Sequence, residues 1–241
     1  MSNVSISTNK LTIGYGETVV QSDLSFSLNE GEMVCMLGPN GCGKSTLLRT
    51  LAGLQPALGG EFTHCDAKRV ALVLTERLSM DHTTVHDVVA LGRYPYSSFL
   101  DGLSEEDEKM IEEALKSVGF DLSSFTFPLS PFNAHSDGEK QRILIAKALA
   151  QQTPLILLDE PTAHLDLPHR ILILRLLRRL AHEQKKTVLI STHELDLALA
   201  LSDRILLMTP GKGVQLDKAE TLKHADAFTA AFGMDIFNPL G

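Results

Sequence analysis

The sequence predicts an α/β fold with a largely parallel central sheet, antiparallel β segments at its amino end and a helical insertion between two halves. Three observations predict it. An apolar run at 33–37 ends in a glycine-rich turn that opens a helix. Beyond Ser136, helical stretches alternate with short apolar runs at 155–158, 187–191 and 205–208, the rhythm of parallel strands joined by helical crossovers. Between these halves, from Thr83 to Leu129, the apolar spacing becomes helical.

Taken in order, residues 4–13 and 23–28 alternate as half-buried strands do, with turn chemistry at Gly14-Tyr15-Gly16 and Asn29-Glu30-Gly31. The run 33–37 is a buried strand, followed by a helix over about 44–52, and 70–74 is another short strand. Ser104 precedes Asp107 by three residues, a helix start, and Met110, Ile111, Ala114, Leu115 and Val118 follow as an apolar stripe. Glu105, Glu106, Glu108, Glu112 and Glu113 cover its other face, which reads as a solvated surface rather than a metal site. Helices near 139–151 and 168–184 precede the last strands, and the tail beyond Gly211 reads as a small helical cap. The expected organisation is a single domain over 1–241, with a core of about 1–79 and 136–215, a helical subdomain of about 80–135 and a cap of about 216–241.

Composition narrows the function. The 22 basic against 30 acidic residues leave a net charge of −8, and aromatics are 5% with no tryptophan, so a general nucleic-acid binder is disfavoured. Cys35, Cys42 and Cys65 are odd in number and unpatterned, which points to a reducing compartment rather than a disulfide framework or zinc site. The opening MSNVSISTNK lacks the apolar core of a secretory signal, and no run approaches the ~18 apolar residues of a membrane span. Membrane association is therefore expected only through a partner.

The chemistry concentrates in two motifs. Gly38-Pro39-Asn40-Gly41-Cys42-Gly43-Lys44-Ser45 fits G-x-x-x-x-G-K-[ST], with Thr46 next in the helix. Glycines let successive backbone N–H groups turn toward phosphates, and the helix N-terminus adds its positive end. Lys44 is expected on the β- and γ-phosphates and Ser45 on Mg²⁺. Leu155-Ile156-Leu157-Leu158-Asp159-Glu160 delivers two carboxylates at the end of a buried strand, where ligands sit in open α/β sheets. Asp159 is the expected Mg²⁺ partner and Glu160 the group that polarises an attacking water. Together these specify a P-loop NTPase core.

Between the two lies His135-Ser136-Asp137-Gly138-Glu139-Lys140-Gln141-Arg142, which resembles the signature of ABC ATPases, usually Leu-Ser-Gly-Gly-Gln/Glu before a Gln-Arg pair. Ser136 precedes Asp159 by 23 residues, in the family order. The resemblance implies that Ser136 and Gly138 meet the γ-phosphate of ATP held by a second copy of the chain. His135 stands for the usual leucine and Asp137 for the first glycine, and an acid beside a phosphate-facing amide repels unless it points away. A plain helix cap at Ser136 or Asp137 is the simpler alternative.

Other stations follow the same resemblance. His193, 33 residues after Glu160, is similar to the family's switch histidine; Ala163-His164-Leu165-Asp166 resembles the D-loop that couples the two sites, and Asp166 also suits the N-cap of the next helix. Tyr15, 23 residues before Gly38, is placed like the aromatic that stacks on adenine, with a plain turn tyrosine the alternative. Where the family carries a glutamine near Mg²⁺ and the attacking water, this chain reads Leu74-Thr75-Glu76-Arg77, and Glu76 or Thr75 is the expected substitute.

Val88-Val89-Ala90-Leu91-Gly92-Arg93-Tyr94-Pro95-Tyr96 is similar to a Leu-Gly-Arg-x-Pro segment of importer ATPases for iron chelates, haem and cobalamin, although an ordinary turn would read alike. The resemblance implies an ATP- and Mg²⁺-dependent dimer on the cytoplasmic face of the cell membrane, serving a polytopic permease and, indirectly, a substrate-binding protein, with no nucleic acid. An ATPase of iron–sulfur cluster assembly is the alternative. The 91 residues between Lys44 and Ser136 hold no sustained heptad, which disfavours a chromosome-type ATPase.

Overall fold

A computed structural model describes residues 3–64, 70–74, 82–96, 102–123, 128–224, 226–234 and 237. Strands β1 (Val4–Tyr15) and β2 (Thr18–Asn29) form an antiparallel hairpin, and β3 (Met33–Leu37) leads into helix α1 (Lys44–Leu51). Next come β4 (Gly59–His64) and β5 (Val70–Val73), then α2 (Val85–Ala90), a short 3-10 turn (Leu91–Arg93) and α3 (Glu105–Ser117). The second half runs α4 (Asp137–Ala150), β6 (Leu155–Asp159), α5 (Leu167–Gln184), β7 (Thr187–Ser191), α6 (Leu195–Leu201), β8 (Arg204–Thr209), β9 (Gly213–Asp217), α7 (Ala219–His224) and α8 (Ala227–Phe232).

Two sheets result. One has the order β2-β1-β4, all antiparallel, and the other β5-β6-β7-β3-β8-β9, parallel except for β9. β3 shows how the period-2 alternation of a strand divides the core. Val34 and Met36 face the smaller sheet and α1, joining Leu11, Ile13, Leu24, Leu47 and Leu48. Met33, Cys35 and Leu37 face the helices on the other side, joining Val88, Ile145, Leu174 and Leu177. Both faces of the parallel strands are buried, which is why those strands read as continuous apolar runs. The cysteine among them is inert: burial pushes the Cys35 thiol up to about 12.

The α/β fold is as the sequence predicts, with two strands added. β4 pairs with β1, but its opening Gly59-Gly60 carries no strand propensity. The tail is not wholly helical, because β8 turns through Pro210-Gly211-Lys212 into β9, closed by Lys212 N–H donating to the Thr209 carbonyl at 3.0 Å. That Pro-Gly pair is a hairpin turn rather than a boundary.

Helix α3 begins at the Ser104 capping box, with Ser104 and Asp107 each holding the other's backbone N–H. Its stripe is buried at Ile111, Ala114, Leu115 and Val118, and its glutamates are exposed. The segment after α2 is more than a turn. Arg93 is 4% exposed and donates to Asp107 Oδ1 at 2.8 Å and to the Ala150 carbonyl at 2.8 Å, while its guanidinium stacks 4.1 Å over the Tyr96 ring. Tyr96 hydroxyl donates to the Gln151 carbonyl at 2.6 Å. A Cβ on Gly92 would overlap the Lys147 carbonyl, so the 3-10 turn after α2 meets α4 backbone to backbone there. Arg93 thus anchors α2 and α3 to the carboxyl end of α4.

Hydrogen bonds from Ser104 and then from Arg93 hold the Asp107 carboxyl at about 2, below its ordinary value near 3.8. A depressed carboxylate stabilises the fold above its unfolded value, and that contribution is lost as pH falls through its folded value. Asp107→Asn is therefore expected to be less stable than the parent at pH 7, with the gap narrowing below about pH 4 and closing near pH 2. Urea unfolding of both proteins across pH 2–7 checks this, and a gap independent of pH would refute the assignment.

Candidate active site

Sheet order assembles the site. β6, β7 and β3 are consecutive neighbours in parallel, so their carboxyl ends lie side by side at one edge. From β3 comes the glycine loop, from β6 the pair Asp159 and Glu160, and from β7 the segment Ser191 to His193. α1 packs on β6, and Ser45 lies in its first turn.

In the loop, Gly38 has φ +156 and an added Cβ would lie 2.7 Å from the Met208 carbonyl oxygen; Gly43 has φ +100 and a Cβ there would lie 2.8 Å from Val20. Neither position admits a side chain. Lys44 is 6% exposed, and its ammonium donates to the Gly38 carbonyl at 2.7 Å and the Pro39 carbonyl at 3.1 Å, so its charge is fixed at the centre of the loop. Tyr15, half exposed, sits beside this loop, its hydroxyl accepting from Thr46 Oγ1 at 3.1 Å. Cys42 is buried, which raises its thiol.

Asp159 and Ser191 are register partners, and Ser191 Oγ donates to Asp159 Oδ1 at 2.5 Å. The same hydroxyl accepts from the Glu160 backbone N–H at 3.0 Å, as does the Ser191 carbonyl at 3.1 Å. Glu160 needs that grip: its φ is +47, a left-handed conformation that costs a non-glycine residue about 1 kcal/mol or more. The turn aims its carboxylate at His193, and Glu160 Oε1 pairs with His193 Nε2. Ser191 carries no signal in the sequence beyond a hydroxyl at a strand end.

The remaining predicted residues lie at helix starts. Ser136 caps α4, its hydroxyl donating to Glu139 Oε2 at 2.8 Å and its N–H to the same oxygen at 3.0 Å. Asp137 is exposed, whereas Gly138 is buried and a Cβ on it would lie 2.6 Å from the His169 ring. Asp166 caps α5, accepting from His169 N–H at 3.1 Å and pairing with His169 Nδ1 at 2.5 Å. These bonds hold the Asp166 carboxyl below the usual range. His169, unmarked in the sequence, thus touches both Gly138 and Asp166. Thr75 and Glu76 lie outside the described residues.

The donor set also bears on a metal. Among the described residues no cluster of three or more His, Cys, Asp or Glu side chains could hold one. A hydroxyl at Ser45 and a carboxylate at Asp159 are hard oxygen donors that suit Mg²⁺ when phosphates and water complete its shell, so the residues fit that ion.

A phosphate loop, a paired carboxylate and histidine, and a capped helix between them in sequence characterise one large group of proteins, and the family model for ABC transporters matches residues 21–163. The chain belongs to the ABC transporter family. It is 39% identical over 216 residues to an ABC transporter ATP-binding protein of Methanocaldococcus jannaschii, covering 84% of this chain and 72% of the relative. It is 35% identical to the iron(3+)-hydroxamate import ATP-binding protein FhuC of Bacillus subtilis, covering 96% and 88%. Among solved structures, a metal-chelate type ABC transporter in an inward-facing conformation matches with TM-score 0.86 and 30% identity, covering 96% and 90%. A dimeric ATP-binding cassette in a post-hydrolysis state with ADP and Pi matches with TM-score 0.72 and 27% identity, covering 89% and 98%. The ABC protein described here is an ATP-binding, ATP-hydrolysing transporter subunit. No helix among its described residues is long and apolar enough to cross a membrane.

Because Ser136 closes a capping box, its cap can be tested apart from any ligand contact. Ser136→Ala is expected to cost about 1 kcal/mol in urea unfolding. Ser136 donors hold the Glu139 carboxyl below its ordinary value, so the variant should move that carboxyl up. NMR titration of Glu139 reads the shift; an unmoved titration would dissolve the box.

Proposed function

We propose that this ABC subunit hydrolyses ATP at two composite sites of a homodimer to power import of an iron chelate, haem or cobalamin through a polytopic permease at the cytoplasmic face of the membrane. A substrate-binding protein takes part indirectly. The observation that carries the hydrolytic part is the Glu160–His193 pair, held at the ends of adjacent strands next to the phosphate loop. The cargo class is supported by FhuC and by the ferric enterobactin transport protein FepC of Escherichia coli, 33% identical over 240 residues.

In this reading Tyr15 stacks on adenine, and Gly38 to Thr46 wrap the phosphates, with backbone N–H groups from all but Pro39, while Lys44 exchanges loop carbonyls for phosphate oxygens. Ser45 and Asp159 hold Mg²⁺, which when bound neutralises charge on the β- and γ-phosphates. Glu160 orients and polarises the attacking water. His193, paired with that carboxylate, fixes its direction and reaches the γ-phosphate. Ser136 and Gly138 of a second copy close over the phosphates from the other side, with Asp166 in the loop between the two sites. Glu139 must then release the Ser136 hydroxyl, because a hydroxyl has one hydrogen to donate.

Glu160→Gln removes the water-polarising charge and leaves the phosphate contacts in place. It is expected to bind ATP, to hydrolyse it at least about 100-fold more slowly, and to elute as a dimer with ATP and Mg²⁺. A monomer under those conditions would count against the composite sites of a homodimer, and turnover near the parent rate would count against Glu160.

A further inference from the structure

One contact at the rear of the site is unexplained by capping or by core packing. Arg170, in the first turn of α5, donates from Nε to the Leu165 carbonyl at 2.6 Å and from Nη1 to Glu194 Oε1 at 2.6 Å. Leu165 belongs to the loop before α5, and Glu194 directly follows His193. The two acceptors lie on separate crossovers, and a single guanidinium spans them.

The surroundings show what this fork controls. Glu194 occupies the N-cap position of α6 but makes no side-chain cap bond; its carboxylate goes to Arg170 instead. On the other side of His193, Thr192 is 1% exposed and its N–H donates to the Met36 carbonyl at 3.2 Å. Glu194 N–H donates to Thr192 Oγ1 at 3.0 Å. His193 is therefore an exposed residue between a neighbour fixed to β3 and a neighbour fixed to Arg170. At the other prong, Leu165 is buried while His164 and Asp166 beside it are exposed, so this loop has an exposed outer face and an inner face tied to Arg170.

We propose that Arg170 is a positioning residue for ATP hydrolysis. Its fork makes the orientation of His193 against Glu160 follow the position of the 163–166 loop. When a second copy presses on that loop, Leu165 carries the displacement to Arg170, Glu194 and the backbone at His193. A guanidinium suits this role because its N–H directions are rigidly fixed, whereas an ammonium on a flexible stem holds one acceptor without constraining the other. The inference rests on the roles assigned above to Glu160 and His193.

The test compares steady-state ATPase activity of the full chain with Arg170→Met, Arg170→Lys, Glu194→Gln and the Arg170→Met/Glu194→Gln pair, with Glu160→Gln alongside. Arg170→Met keeps the packed stem and is expected to lower kcat about 10-fold while KM for ATP stays within about 2-fold, the pattern of an interaction used in turnover rather than binding. Lysine should restore part of the loss. The double variant should be no slower than Arg170→Met alone, since both changes break one link. A parent-like kcat for Arg170→Met, or losses that multiply in the double variant, overturns the proposal. So does a loss shared equally by KM and thermal midpoint, which would mean a merely structural contact. If Arg170→Met does not fold, Arg170→Lys and Glu194→Gln decide by the same kcat and KM criteria. Parent-like turnover in Glu160→Gln would remove the underlying reading, whereas an inactive Glu160→Gln beside a parent-like Arg170→Met would remove the positioning role alone.

Discussion

The hydroxyl of Ser191 joins two strand ends: it donates to Asp159 and accepts from the N–H of Glu160. Both bonds exist because β6 and β7 are adjacent and parallel with Asp159 opposite Ser191. Ser191 is fully buried, so neither bond is exchanged with water, and removing the hydroxyl would leave a buried N–H with one acceptor and a carboxylate with a donor missing. The left-handed turn at Glu160 is affordable only while that N–H is held. Parallel adjacency in turn requires a helical crossover, and α5 is that crossover. The loop at 163–166 and the arginine that ties it are thus consequences of how β6 must be connected to β7.

What the sequence made legible was local. The phosphate loop could be read because strand, glycines and helix are contiguous, and the Ser104 capping box because its partners are three residues apart. The alternation along β1 and β2 and the apolar runs of β6 and β7 were legible for the same reason. The unread parts depend on partners distant in the chain. Arg170 meets Glu194 across 24 residues, Arg93 meets the Ala150 carbonyl across 57, and Gly138 of α4 meets His169 of α5 with β6 between them. Nothing in a residue's neighbours encodes such a partner. β4 and β9 were hidden by glycine, which weakens strand propensity where the pairing itself supplies the stability.

Carboxylates repeatedly serve their own backbone. Among the described residues, Thr84 with Asp87, Ser104 with Asp107 and Ser136 with Glu139 form the same reciprocal box. At α2 the arrangement is a start signal, and at α3 its carboxylate also takes the Arg93 guanidinium. At the third it engages the hydroxyl of Ser136, the serine to which the proposed function gives a second use. The exposed Asp137 beside it adds negative charge at an N-terminus, where a carboxylate interacts favourably with the helix dipole while an incoming phosphate would be repelled.

The backbone contact at Gly92 has a mechanical side. The 3-10 turn after α2 meets α4 at that glycine, and Arg93 ties α3 to the α4 carboxyl end, so the three helices are joined at one place. α4 has 14 residues, a rod of about 21 Å. Its amino end is Ser136 and its far end carries Arg93 with the exposed Tyr94. A tilt of about 10° pivoted at one end would sweep the other through roughly 4 Å, by the length of such a rod. Close packing at a single glycine therefore couples a small reorientation at the Ser136 tip to a stroke of atomic size at the opposite end.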